Sequence, residues 1–301
     1  MTTLTHKPQA ARPGAPINWG RIMVYLVLTV GAFAAVAPFL YMITTSLKTY
    51  GSVINNKLWP WPPFGTEAIQ WTNYPDAIEN IGRDKAWQIP LFFRYALNSA
   101  IVTLATVLGV LISSTLAAYA FAQMNIPGKG FLFMLLLGTI MIPGDLTLVP
   151  KVVMMMQWKW YNTYPALVVP FLANVVGIFL LRQFFMQIPK DLFDAALIDG
   201  ASHLRYLFTI VLPLSKPAFV TVGLLNFIAA WDSFKWPLLV TRDSNMRVLA
   251  VGLQQFLASE GGTKVQLMMA FSTMVVLPVL IFYFFTQQYF TEGIATTGLK
   301  G

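Results

Sequence analysis

The chain has 301 residues, 56% of them hydrophobic and 11% charged, with a mean hydropathy of +0.63 and a formal net charge of +8. That composition excludes a soluble domain, and the absence of cysteine excludes disulfides, thiolate metal sites and thiol catalysis. Only His6 and His203 offer imidazole, so no metal or cofactor is expected, and the positive charge suits a membrane surface rather than nucleic acid.

Residues 1–20 place Pro8, Pro13 and Pro16 among small and polar residues and read as a mobile tail. A charge-free apolar run from Ile22 to Leu47 follows. Crossing the hydrocarbon core takes about 20 apolar residues, and a helix satisfies its own backbone there. Ala35-Val36-Ala37 has the small–x–small look of a cleavage site, but Pro38 follows and the run continues to Ile43. A retained first helix is therefore expected. Further charge-free runs cover Tyr95–Gly128, Trp160–Leu181 and Val265–Thr291, while Gly130–Gly144 and Pro217–Trp231 continue as apolar sequence beyond Asp145 and Asp232. Six transmembrane helices are predicted, near 22–46, 95–122, 130–150, 165–185, 217–239 and 265–290, within one membrane domain over 21–291 and with a second tail at 292–301. The fold class is all-α integral membrane. Basic residues divide almost evenly between the two faces, so the positive-inside rule does not orient the chain.

Aromatic residues crowd the loops on one face. Trp59, Trp61, Trp71 and Trp87 accompany Pro60, Pro62, Pro63, Pro75 and Pro90, and Trp158, Trp160, Tyr161 and Tyr164 follow the third helix. They read as an interfacial belt. Asp145 marks the interface, and Asn98 and Asn174 read as polar contacts between helices.

A polar, amphipathic island lies between the fourth and fifth helices. Pro189 suits a first helical turn, and Asp191 and Asp194 favour the positive end of the helix dipole. Leu192, Phe193, Ala196 and Leu197 share one face, and Gly200 ends the helix in a left-handed conformation. Ser202 then caps a second helix whose stripe is Leu204, Leu207, Phe208, Val211 and Leu212, stopped by Pro213. The small residues Ala195-Ala196 and Gly200-Ala201 let another backbone approach. From these residues alone the hairpin either rests on lipid headgroups or docks a partner.

The island resembles the cytoplasmic loop of the permease subunits of binding-protein-dependent ABC importers. The likeness rests on Asp194-Ala195-Ala196, a three-residue gap and Gly200, extended by Asp199-Gly200-Ala201, Phe208, Ile210, Leu212-Pro213 and Pro217. Trp231-Asp232-Ser233-Phe234-Lys235-Trp236-Pro237 is similar to the fifth helix of carbohydrate-uptake members, of the second, maltose-type permease kind. Asp194 stands where the family usually has Glu, and Asp232-Ser233 where it often has Asn-Asp.

The resemblance implies a coupling loop at 186–216 held by a cytoplasmic ATPase dimer, with Asp194, Ala195, Ala196, Asp199, Gly200, Ala201, Phe208 and Pro213 as coupling residues. It also implies a second permease subunit in a heterodimer, an extracytoplasmic solute-binding protein, a bacterial or archaeal plasma membrane location and two cytoplasmic termini. Docking of that binding protein is a second reading of the aromatic loops and of the 241–264 loop with Arg242, Asp243, Arg247 and Gly261-Gly262. No phosphate-binding Gly-x-x-x-x-Gly-Lys-Ser/Thr loop is present, so the chain is not itself expected to hydrolyse ATP.

Two readings of helix five stay open. Asp232 and Lys235, three apart, can pair locally; or Asp232 faces the pathway with Asn226, Trp231 and Ser233 and binds a polar solute. A sugar or oligosaccharide is the expected solute, with glycerol phosphate or another polar solute as the alternative. An ion-coupled secondary transporter is the rival class, but no internal repeat appears, and Asp145 and Asp232 alone make a poor relay.

Overall fold

The computed structural model describes residues 19–55, 68–84, 88–256 and 264–298. The Trp59, Trp61 and Trp87 side chains, Pro60, Pro62, Pro63, Gly261, Gly262 and the tail at 1–18 lie outside the described residues. Among the described residues all regular structure is helical, apart from one isolated antiparallel bridge between Arg83 and Pro90.

The chain begins with α1 (Trp19–Ser46), followed by the short α2 (Tyr50–Ile54) and α3 (Asn73–Asn80). The longest inner helix is α4 (Leu91–Gln123). Next come α5 (Lys129–Gly138), continued by a 3-10 turn to Met141, and α6 (Leu148–Gln157), preceded by a 3-10 turn from Gly144. After α7 (Tyr164–Val168) and another 3-10 turn stands α8 (Val175–Phe185). The island forms α9 (Lys190–Ile198), α10 (His203–Tyr206), a π turn over Leu207–Val211 and α11 (Leu212–Leu214). The remaining helices are α12 (Lys216–Trp231), α13 (Lys235–Val240), α14 (Leu249–Leu253) and α15 (Val265–Gly298). The last helix therefore runs on through most of the expected second tail.

Among the described residues three helices are long and apolar enough to cross a membrane unaided: α1, α4 and the Val265–Gln287 part of α15. Three bent pairs also qualify: Lys129–Met141 with Gly144–Gln157 at 90°, Tyr164–Phe171 with Val175–Phe185 at 44°, and His203–Leu214 with Lys216–Trp231 at 83°. The total is six if each pair is one span. The expected helix at 130–150 is thus two pieces, broken at Pro143, which has no N–H to continue the ladder. The expected helix at 217–239 stops at Trp231, and its last part is the separate α13.

The core forms around α4, which packs against α8 and α12, while α15 packs against α1, α3 and α12. The buried face of α4 mixes Tyr95, Val102, Val107, Val110 and Leu111 with Ser99, Thr103, Thr106, Ser114 and Thr115. Small and hydroxylated residues suit such a face, because lipid supplies no hydrophobic drive and close packing must supply the attraction. By contrast, nearly all of α1 is apolar and exposed, with burial only at Thr44, Thr45 and Ser46. Just beyond it Lys48 is buried with its ammonium 5.5 Å from the Tyr41 ring, and desolvation pushes its pKa below the ordinary lysine value.

Candidate functional site

The island is built as a rigid hairpin. Gly200 has φ +74, the Gly200 amide donates to the Leu197 carbonyl at 3.0 Å, and the Ala201 amide donates to Ala196 at 2.9 Å. This pair of bonds is a Schellman closure, which needs the left-handed residue that glycine adopts cheaply. Ser202 caps α10 by accepting from the Arg205 amide at 3.3 Å. Pro213 does not stop the second helix. The ladder loosens into the π turn over Leu207–Val211, which accommodates the missing proline N–H, and the chain bends only at Ser215.

The expected stripes split. Tyr206, Leu207 and Val211 are buried and Phe193 is half-buried, whereas Leu192, Leu197, Leu204 and Phe208 are exposed. Ala196, expected beside Ala195 at the docking surface, is buried in the subunit's own core, because its face of α9 turns toward Phe193 and Tyr206. Asp194, Ala195, Asp199, Gly200, Phe208 and Pro213 are exposed, and Ala201 is half-buried. Ile198 is 87% exposed and Phe208 61%, so an apolar edge stands free at the hairpin tip.

An aromatic cluster fixes the hairpin to α4. Tyr119 Oη lies 2.9 Å from His203 Nδ1, Phe193 stacks on His203 at 5.3 Å, and Tyr206 meets Phe193 edge-on at 5.1 Å. Nearby, Gln123 donates to the Phe185 carbonyl at 2.7 Å, and the Arg182 guanidinium lies 4.1 Å from the Phe133 ring centroid. Tyr119 and Gln123 were not anticipated. Their only sequence signal is a polar group near the end of an apolar run.

The second feature is a cavity of about 360 Å³ between α4, α6, α12, α13 and the segment joining α7 to α8. Ser99, Thr106, Lys151, Asn174, Asn226 and Ser233 give it polar groups, and Phe171 and Trp236 form aromatic wall. The four pathway residues expected from the sequence do not stay together. Asn226 and Ser233 line this cavity, whereas Trp231 and Asp232 line a separate recess of about 400 Å³ beside α14 and α15. The Trp231 indole donates to the Val275 carbonyl at 3.0 Å, a packing contact between α12 and α15. Lys151 and Trp236 belong to the cavity and were missed.

Lys235 does not pair with Asp232. Asp232 caps the end of α12 and Lys235 opens α13, so no helical i,i+3 relation joins them. Instead Lys235 Nζ sits 3.0 Å from Asp145, tying the break before α6 to the break before α13. Asn174 caps α8 by accepting from the Gly177 amide at 2.7 Å and donates to Asn226 Oδ1 at 3.0 Å, a genuine contact between helices. Asn98 donates to the Asn245 and Arg247 carbonyls and accepts from the Tyr164 hydroxyl, so it holds the α13–α14 loop rather than another helix alone. Asn162, at φ 62, holds the same loop: its Oδ1 accepts from the Arg242 and Asp243 amides, and its Nδ2 donates to Asp243 Oδ2 at 2.7 Å.

The model of the binding-protein-dependent transport system inner membrane component matches residues 101–296. The chain belongs to this family. The matched part of this inner membrane component contains the whole hairpin and every cavity residue except Ser99. The arabinooligosaccharides transport system permease protein AraQ of Halalkalibacterium halodurans is 30% identical over 279 residues, covering 91% of this chain and 96% of that protein. The sn-glycerol-3-phosphate transport system permease protein UgpE of Pectobacterium atrosepticum is 34% identical over 199 residues, covering 66% and 71%. A chain in the crystal structure of a bacterial ABC transporter involved in the import of the acidic polysaccharide alginate superposes with a TM-score of 0.77. That match covers 94% of this chain and 100% of the other at 23% identity, a likeness of fold. The permease is thus a multi-pass inner membrane protein and a transport component, as its apolar helices require.

Proposed function

We propose that this permease forms half of the translocation pathway of an ATP-driven importer for a sugar or oligosaccharide. Its partners are a second permease subunit, a cytoplasmic ATPase dimer and an extracytoplasmic solute-binding protein. The observation that carries this reading is the hairpin: a helix pair closed by Gly200, anchored to α4 through Tyr119 and His203, with an apolar edge left exposed. Such an edge favours a protein partner over water. On this reading the hairpin and both termini face the cytoplasm. Closure of the ATPase dimer pushes the hairpin, and its aromatic anchor passes the movement to α4. Two packings of the bundle, each favoured by a different nucleotide state, then alternate access to the cavity. The solute class is supported by the oligosaccharide and glycerol-phosphate permeases among the relatives.

The test is uptake into proteoliposomes holding the full complex and its binding protein. ATP-dependent uptake of an oligosaccharide is expected. Uptake that needs an ion gradient and ignores ATP overturns the reading.

A further inference from the structure

Among the described residues, Lys151 is the one charged group lining the 360 Å³ cavity, and no acidic side chain lines it. It sits on α6, half-buried, with its ammonium 5.9 Å from the Phe171 ring centroid and no carboxylate partner among the described residues. An ammonium in a partly apolar cavity with no counter-charge beside it favours an anionic occupant. The neighbouring polar groups are biased the same way. Asn174 and Asn226 largely satisfy each other and nearby backbone, with the Asn226 amide donating to the Val222 carbonyl at 2.9 Å. Thr106 and Ser233 add hydroxyl groups to the same lining. The carboxylate that would suit a neutral polyol, Asp232, opens into the other recess. One cation set among neutral hydroxyl and amide groups, with no carboxylate in the lining, matches a negatively charged solute.

We propose that this cavity selects solutes bearing an anionic group, a carboxylate or a phosphate, received by Lys151 with Thr106 and Ser233 beside it. This rests on the importer reading above and names the chemistry of its solute. Charge-assisted hydrogen bonds to an ammonium are roughly twice as strong as neutral ones, so Lys151 discriminates between charged and neutral solutes of similar size.

The experiment uses the complete complex in proteoliposomes, with three probes: neutral arabinotriose, a triuronate and glycerol 3-phosphate. Equilibrium binding of each labelled probe to the complex without its binding protein is measured alongside. The expected result is that the wild-type complex prefers one of the two anionic probes. Lys151→Gln should raise KM and Kd for that probe roughly tenfold and be rescued by Lys151→Arg. Preference for the triuronate assigns a carboxylate, and preference for glycerol 3-phosphate assigns a phosphate. The inference is overturned if ATP-driven uptake favours arabinotriose, or if Lys151→Gln leaves the anionic probe unaffected. If Lys151→Gln fails to assemble, the wild-type preference between probes decides alone. Uptake of a probe that needs an ion gradient and ignores ATP overturns the importer reading itself.

Discussion

Tyr119 and His203, 84 residues apart in sequence, meet at 2.9 Å and join the end of α4 to the hairpin. The contact is partly buried and shares an aromatic cluster with Phe193 and Tyr206. On the proposed coupling the hairpin transmits force only if its root is stiff, and these rings would form that root. Tyr119→Phe removes the hydrogen bond and keeps the ring, at a cost of about 1 kcal/mol. The expected outcome is a folded permease that carries fewer solute molecules per ATP hydrolysed, measured as the ratio of uptake to phosphate release. An unchanged ratio in both Tyr119→Phe and Phe193→Ala would remove the anchor from the transmission path.

Gly200 tests the hairpin tip. A Cβ there meets nothing within 4 Å, so substitution costs only the left-handed conformation, about 1 kcal/mol for alanine. Gly200→Asp is therefore expected to leave a membrane-inserted protein whose transport is lost. Co-purification with the ATPase, set against membrane abundance, measures the effect. Normal uptake by this variant would count against docking at the tip.

Gly252 lies far from the hairpin. A methyl group added to it would stand 2.7 Å from Tyr95 Cδ2, and Tyr95 is fully buried. The ring has no room to retreat, so Gly252→Ala should destabilise the permease by about 1–3 kcal/mol through overpacking. Thermal unfolding in detergent should show a clear drop. An unchanged midpoint would show that α14 and α4 separate easily.

Asn174 has two tasks, capping α8 and bonding Asn226. Asn174→Ala should cost about 1–2 kcal/mol, the sum expected for a lost cap and a lost hydrogen bond. Asn226→Ala removes only the second and should cost less. A double-mutant cycle on thermal stability checks this: the pair should be non-additive by about 0.5 kcal/mol or more.

Much of the permease was legible from the residues in order. Apolar runs of about 20 residues announced membrane helices because a helix satisfies its own backbone in lipid, whereas barrel strands are shorter and alternate in polarity. The caps at Gly200 and Ser202 were legible because capping depends on a handful of adjacent residues. Which face each helix turns inward was not. A span that is apolar all round carries little periodic signal, so packing against distant elements decides its rotation. That packing separates Asp232 from Asn226 and Ser233, turns Ala196 inward, and brings Lys151 to the cavity. It also gives Lys235 to Asp145, 90 positions away, because breaks in two apolar stretches happen to face each other. Local hydropathy and capping settle which stretches are helical in the main; only contacts across the folded bundle settle where those helices break and what they enclose.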